Sequence, residues 1–182
     1  MLTHVNKLIK PIIAFVIIIA IFSFTVLVFY GLFPVKYKTS LSLYCKEYGV
    51  DESLILSIIK AESNFNEKAV SVANAKGLMQ LTDETFRFCA EHLELSDSPG
   101  IYDAETNLRA GIWYISYLLE KYDGNTKNAI AAYNAGFTNV DSWLSSKDYS
   151  KDGKTLDTIP FGETQRYVEK IIRYRKIYSL LY

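Results

Sequence analysis

Glu62 is the residue in this chain whose type and spacing point most directly to chemistry. Ile55, Ile58 and Glu62 follow one another at helical spacing, so a carboxylate continues the apolar stripe of its own helix. A carboxyl group drawn out of water has a raised pKa, which is what a general acid working near neutral pH requires. The position also admits a plainer reading, in which Ser63 and Asn64 end the helix and Glu62 turns to solvent.

The elements that must position Glu62 read as short helices divided by turn residues. Leu41, Tyr44, Cys45 and Tyr48 form one stripe, stopped by Gly49. Asp51 can cap the helix that carries Leu54, Ile55, Ile58 and Ile59. Phe86, Cys89, Ala90 and Leu93 form a third stripe. Leu108, Ile112, Ile115, Leu119 and Tyr122 form a fourth, closed by Asp123-Gly124-Asn125. Two shorter helices are expected over 126–134 and 139–144, then a polar loop over 145–158. Tyr167, Ile171, Tyr174, Tyr178 and Leu181 define a terminal helix. The fold class is mainly α, with at most a trace of sheet over 66–80.

Composition removes several classes of function. The chain has 182 residues with 20 basic and 20 acidic side chains, and residues 1–34 contribute only Lys7 and Lys10 to that count. The following 148 residues are mildly acidic, have no basic stripe, and are a poor match to nucleic-acid binding. Two Cys and two His, at 45, 89, 4 and 92, cannot build a tetrahedral zinc site there. Nothing near His92 resembles a nucleophile motif, and there is no glycine-rich phosphate loop. Polar chemistry is left to carboxylates, amides and the many tyrosines. Cys45 and Cys89 could pair in an oxidising compartment or remain two separately buried thiols.

Residues 11–35 carry no charge. As a helix they span roughly 37 Å at about 1.5 Å per residue, enough to cross a bilayer with tilt. A cleaved signal peptide is the rival, but its apolar region is shorter and ends in small residues, whereas here the run continues through Val26-Leu27-Val28-Phe29-Tyr30. The expected organisation is a tail over 1–10, a signal-anchor helix over 11–35 and one globular domain over 36–182. Lys7 and Lys10 on one side and Lys36 and Lys38 on the other barely decide orientation. A large C-terminal domain after a signal-anchor is normally exported, which places it outside the cytoplasmic membrane.

Four fragments occur in a telling order. Glu62-Ser63-Asn64-Phe65-Asn66 leads through Ala69-Val70-Ser71 to Ala75-Lys76-Gly77-Leu78-Met79-Gln80. Ala132-Tyr133-Asn134-Ala135-Gly136 follows, and then Ile159-Pro160-Phe161-Gly162-Glu163-Thr164-Gln165-Arg166-Tyr167-Val168. Over about 43–172 the chain resembles the catalytic domain of the lytic murein transglycosylases of the soluble type, whose fold is similar to goose-type lysozyme. The resemblance implies a lysozyme-like α+β domain with little or no sheet. It also implies that Glu62 is the catalytic acid, that Ser71 lies close to it, and that Gln80, Tyr133, Asn134, Glu163 and Tyr167 line the sugar cleft. Each has a bland alternative: Ser71 and Gln80 bonding loop backbone, Tyr133 packing in the core, Glu163 favouring a helix dipole. Tyr174, Tyr178, Trp113 and Trp143 read as packing residues. The chain departs from the family's usual pattern in Asn74, where Gly is usual, in Thr82-Asp83, where Met-Pro is common, and in the order Gln165-Arg166. Asn tolerates left-handed backbone and Thr82 can cap a helix, so the fold should survive.

Glycosidic cleavage ordinarily uses two carboxylates. The resemblance assigns no role to Glu67 or Asp83, and implies a single acid that closes the muramoyl C6 oxygen on C1, giving 1,6-anhydromuramoyl ends without metal or organic cofactor. The expected partners are peptidoglycan glycan strands and the cytoplasmic membrane, with a cell-envelope protein complex as a further candidate. A hydrolytic muramidase of the same fold and a non-catalytic peptidoglycan-binding protein are the alternative readings.

Overall fold

The structure is a computed structural model that describes residues 2–95 and 99–182, and it divides into two units, Met1–Pro34 and Val35–Leu180. The first unit is one helix, α1 (Leu2–Leu32). Within it, Ile13–Leu32 has a mean hydropathy of 2.8 and none of it is buried, so the stretch is long and apolar enough to cross a membrane. The hydroxyl of Thr25 donates to the Ile21 carbonyl at 2.8 Å and so needs no water. The helix stops at Leu32, short of the expected 35, because Pro34 disfavours helical backbone at the residue before it. At the other end it runs back through Pro11.

The second unit holds α2 (Lys38–Tyr48), α3 (Glu52–Glu62), α4 (Asp83–His92), α5 (Ala104–Lys121), α6 (Thr126–Ala135), α7 (Phe137–Ser145) and α8 (Gly162–Leu181). Their starts follow from side-chain caps. Asp51, Thr82, Asp103 and Asn125 each accept a hydrogen bond from a backbone N–H in the first turn that would otherwise lack a partner. Gly49 ends α2 at φ 66°, a left-handed turn that glycine makes without a Cβ penalty.

Helix α5 is the centre of the domain and packs against α2, α4 and α6. It buries Leu108, Ala110, Ile112, Ile115 and Leu118 completely. The expected stripe named Leu119, but Leu118 points inward and Leu119 is half-buried. The trace of sheet expected over 66–80 is present as two isolated bridges, Val70 with Lys76 and Lys76 with Leu81. The polar loop after α7 is pinned by Asn128, which donates to the Lys154 carbonyl at 2.7 Å and accepts from the Leu156 N–H at 3.2 Å.

Helices α3 and α8 are joined at both ends. Arg175 reaches Asp51 Oδ2 through Nε and Nη2, each at 2.8 Å, at the start of α3. Burial raises the pKa of Asp51, but its hydrogen bonds from Ser53 and Arg175 win and hold it below the usual carboxylate range. At the end of α3, Lys170 and Tyr167 of α8 supply the opposite contacts. The two helices therefore run antiparallel, and the register brings Tyr167 to Glu62.

Cys45 on α2 and Cys89 on α4 are buried and not bonded to each other. Burial pushes both thiols up to about 12, so they behave as small apolar side chains.

Candidate active site

Glu62 is the last residue of α3 and is partly buried. The Tyr167 hydroxyl donates to its Oε1 at 2.6 Å. Burial pushes the Glu62 carboxyl up to about 7, while the Tyr167 hydrogen bond and the Lys170 charge pull it back without winning. Lys170 Nζ donates to the Ala61 carbonyl at 3.1 Å, at the helix end where carbonyls lack partners and cations are favoured. A carboxyl group near pH 7 carries a proton and releases it with almost equal ease, as a group that serves first as acid and then as base must.

A second phenol completes the cluster. Tyr133, on α6, donates its hydroxyl to the Met79 carbonyl at 2.6 Å. Its pKa lies well above the ordinary tyrosine value, chiefly from burial and next from the field of Glu62. Tyr167 is raised in the same way, by burial, then by Glu62 and Tyr133. Both phenols stay protonated and can act only as neutral donors and acceptors.

The segment between α3 and α4 forms the floor. Asn107 is fully buried on α5; its Oδ1 accepts from the Met79 N–H at 2.9 Å, and its Nδ2 donates to the carbonyls of Lys76 and Ile101, each at 3.0 Å. Gly111, one turn further along α5, leaves room for Met79; a Cβ there would lie 2.8 Å from Met79 Cβ. Ser63 Oγ donates to the Leu78 carbonyl at 2.8 Å and ties the helix end to the same segment. Asn64, Phe65, Asn74 and Gln80 all sit at φ between 48° and 61°. Asn74 thus takes the left-handed turn expected of it. Phe65 is a bulky residue in that region and is 3% exposed, a backbone held against its preference by the burial of its side chain.

The structure brings together Glu62, Tyr133 and Tyr167. It does not join the other four expected site residues to Glu62. Gln80 Nε2 donates to the carbonyls of Ala69 and Gly77, at 3.0 and 2.9 Å, and Ser71 Oγ accepts from the Ala75 N–H at 3.1 Å. Both therefore bond loop backbone. Asn134 is exposed beside Tyr133, and Glu163 is exposed in the first turn of α8. Asp83 pairs with Lys76 and accepts from Asn74, closing the loop rather than facing the acid. Among the described residues no group of three or more His, Cys, Asp and Glu is placed to hold a metal.

Three supporting residues escaped sequence reasoning. Asn107 carries a signal, a polar residue within a strongly apolar helix and next to Leu108. Lys170 follows Tyr167 by three positions and shares its face. Gly111 has no signal of its own, since only the packing of Met79 explains it.

The transglycosylase SLT domain family matches residues 42–156, which hold Glu62, Ser71, Gln80, Tyr133 and Asn134. The chain belongs to this family. The soluble lytic murein transglycosylase of Salmonella typhimurium is 31% identical over 150 residues, covering 80% of this chain and 23% of that protein. Membrane-bound lytic murein transglycosylase C of Yersinia enterocolitica is 33% identical over 167 residues, covering 79% of this chain and 46% of its own length. The structure of an inactive Glu-to-Gln mutant of the lytic transglycosylase Slt from Pseudomonas aeruginosa superposes with a TM-score of 0.69 at 30% identity, over 81% of this chain and 24% of that one. The chain thus spans less than half the length of these relatives. The family is that expected from the motifs, and the mainly helical architecture agrees with it.

Proposed function

We propose that the chain is a membrane-anchored lytic transglycosylase that cleaves the bond between N-acetylmuramic acid and N-acetylglucosamine in peptidoglycan. The observation that carries this reading is Glu62, a single carboxyl poised near pH 7 beside two half-buried phenols. Family membership, and the murein transglycosylases among its relatives, support it further.

In this mechanism Glu62 gives its proton to the glycosidic oxygen as the C1–O bond breaks, releasing the N-acetylglucosamine end with a hydroxyl. Positive charge then lies on C1 and the ring oxygen of the muramoyl unit. The Glu62 carboxylate, held in place by Tyr167, takes the proton from the muramoyl C6 hydroxyl, and that oxygen bonds to C1. The product is a 1,6-anhydromuramoyl end, no water is consumed, and Glu62 ends protonated as it began. The groups that act on Glu62 are a phenol and an ammonium, with no second carboxylate among them, which suits an internal nucleophile. Tyr133 and Asn134 hold the sugar at the reacting end and Gln80 offers it only an amide oxygen, its Nε2 being bound to the loop backbone, while Ser71 and Glu163 border the cleft. The helix over Ile13–Leu32 anchors the protein in the cytoplasmic membrane as a single pass, with the domain outside, facing the wall. The Yersinia relative described as membrane-bound agrees with such an anchor.

The test is digestion of purified peptidoglycan by the full chain in detergent, beside Glu62→Gln, with products read by mass spectrometry. The anhydro product is lighter than a hydrolytic one by one water. Reducing muramic acid ends from the wild type overturn the reaction, and equal activity in the variant overturns the role of Glu62.

A further inference from the structure

The domain is acidic on balance, yet its last thirteen residues carry four cations, Lys170, Arg173, Arg175 and Lys176, and no acid. Two of the four are engaged, since Lys170 donates to the Ala61 carbonyl and Arg175 pairs with Asp51. The side chains of Arg173 and Lys176 are exposed and bond to no described residue. Arg173, Lys176 and Leu180 follow one another along α8 at spacings of three and four, so they share one face. Leu180 is 85% exposed and Ile172, beside Arg173, is 40% exposed. Two unpaired cations thus stand among two apolar side chains that no protein covers.

The same end of α8 borders a cavity of about 530 Å³ shared with the starts of α3 and α6. Ile172 and Lys176 line it with Leu56 and Ile130, which give it an apolar floor. A soluble anion would engage the cations and leave this apolar surface in water. A lipid uses both, with phosphate for the cations and hydrocarbon for Leu180, Ile172 and the floor. The neighbouring acids are already occupied. Asp51 is taken by Arg175, Glu52 lies in the first turn of α3 where the helix dipole favours it, and Glu169 accepts from Gln165. Glu62 lies at the other end of α3, eleven residues or about 16 Å away, so lipid can cover this patch and leave the acid open.

We propose that the C-terminal half of α8 is a lipid-docking surface of the domain, in which Arg173 and Lys176 take the phosphates of anionic headgroups while Leu180 and Ile172 enter the apolar layer beneath. The inference rests on the membrane anchor proposed above and goes beyond it, because it gives the globular domain a lipid contact of its own.

The experiment places the full chain in vesicles of phosphatidylcholine, with and without phosphatidylglycerol, that also hold a lipid with a nitroxide quencher on its headgroup. A fluorophore is attached at Ser179→Cys, beside the patch, or at Glu91→Cys, an exposed position on α4 as reference. Cys45 and Cys89 are buried, with thiols pushed up to about 12, and do not compete for the label. The docked-to-free ratio read from quenching at position 179 should rise with phosphatidylglycerol. It should fall about fivefold for each of Arg173→Gln and Lys176→Gln, which change exposed side chains, and fall again in high salt. The label at position 91 should stay unquenched throughout. Quenching at 179 that is absent, indifferent to phosphatidylglycerol or to the substitutions, or matched at 91 overturns the docking surface. A chain that does not float with the vesicles overturns the membrane anchor, and the docking with it.

Discussion

The hydroxyl of Tyr167 lies 2.6 Å from Oε1 of Glu62, although the two residues are 105 positions apart in the chain. The bond favours the carboxylate, while burial favours the acid, and Glu62 settles between them at about 7.

Removing that bond should move the pH profile. Glu62 must enter the reaction protonated, so the rate falls as pH rises through its pKa. Tyr167→Phe takes away a group that lowers this pKa, and the alkaline limb should shift upward by about one pH unit, with a lower kcat. A profile of kcat against pH on soluble glycan checks this. An unmoved limb removes Tyr167 from the protonation of Glu62.

Lys170→Met should act in the same direction for a different reason. The ammonium stabilises the carboxylate through its charge, so its loss raises the Glu62 pKa, and the effect in the wild type should shrink with added salt. The same pH profiles at low and high ionic strength decide it.

Glu62 also makes stability depend on pH. Its carboxyl is near 4.5 when unfolded and about 7 when folded, so the folded state binds the extra proton between these values. Folding is therefore favoured by this group below about 4.5 and loses that contribution as pH rises to 7. Glu62→Gln removes the dependence and should be the more stable protein at pH 8, by about 1–3 kcal/mol, with the gap closing near pH 4. Urea titrations of both proteins at the two pH values measure it.

Asn107→Leu should be among the most damaging single changes. It removes the partners of the Met79 N–H and of the Lys76 and Ile101 carbonyls inside the protein, at a cost of about 3–5 kcal/mol. A fall in thermal midpoint accompanied by lost activity is expected; a variant as stable as the wild type contradicts the role given to Asn107.

Gly111→Ala should destabilise by about 1–3 kcal/mol, because the new methyl meets the Met79 side chain in a filled core. Met79 in turn receives Tyr133, so activity should fall more than stability alone explains. Comparing kcat well below the melting temperature separates the two effects.

Most of the scaffold could be read in advance because its signals are local. Stripes at helical spacing locate α2, α3, α4, α5 and α8, the two short helices between α5 and α8 are expected without such a stripe, and Asp51, Thr82 and Gly49 mark helix ends with residues whose side chains or backbone do the capping. Glu62 stood out for the same local reason, as a carboxylate in line with Ile55 and Ile58. The contacts that tune it are not local. Tyr167 was placed in the cleft by resemblance alone, and nothing in its neighbourhood in sequence says that it bonds Glu62. Lys170, Asn107 and Gly111 act across the fold through one ammonium, one amide and one missing methyl. Gln80 and Ser71 show the reverse case, in which a motif marks the right loop while their bonds serve its backbone.

The antiparallel pairing of α3 with α8 has a consequence for the order in which the protein becomes active. Glu62 leaves the ribosome 105 residues before Tyr167, together with the helix that carries it but without its hydrogen-bond donor or the neighbouring ammonium of Lys170. Synthesis runs from the N-terminus, so the acid is present long before its setting is complete. Until α8 packs against α3, the carboxyl has neither its phenol donor nor the nearby ammonium, so the docking of one helix on another completes the setting of Glu62.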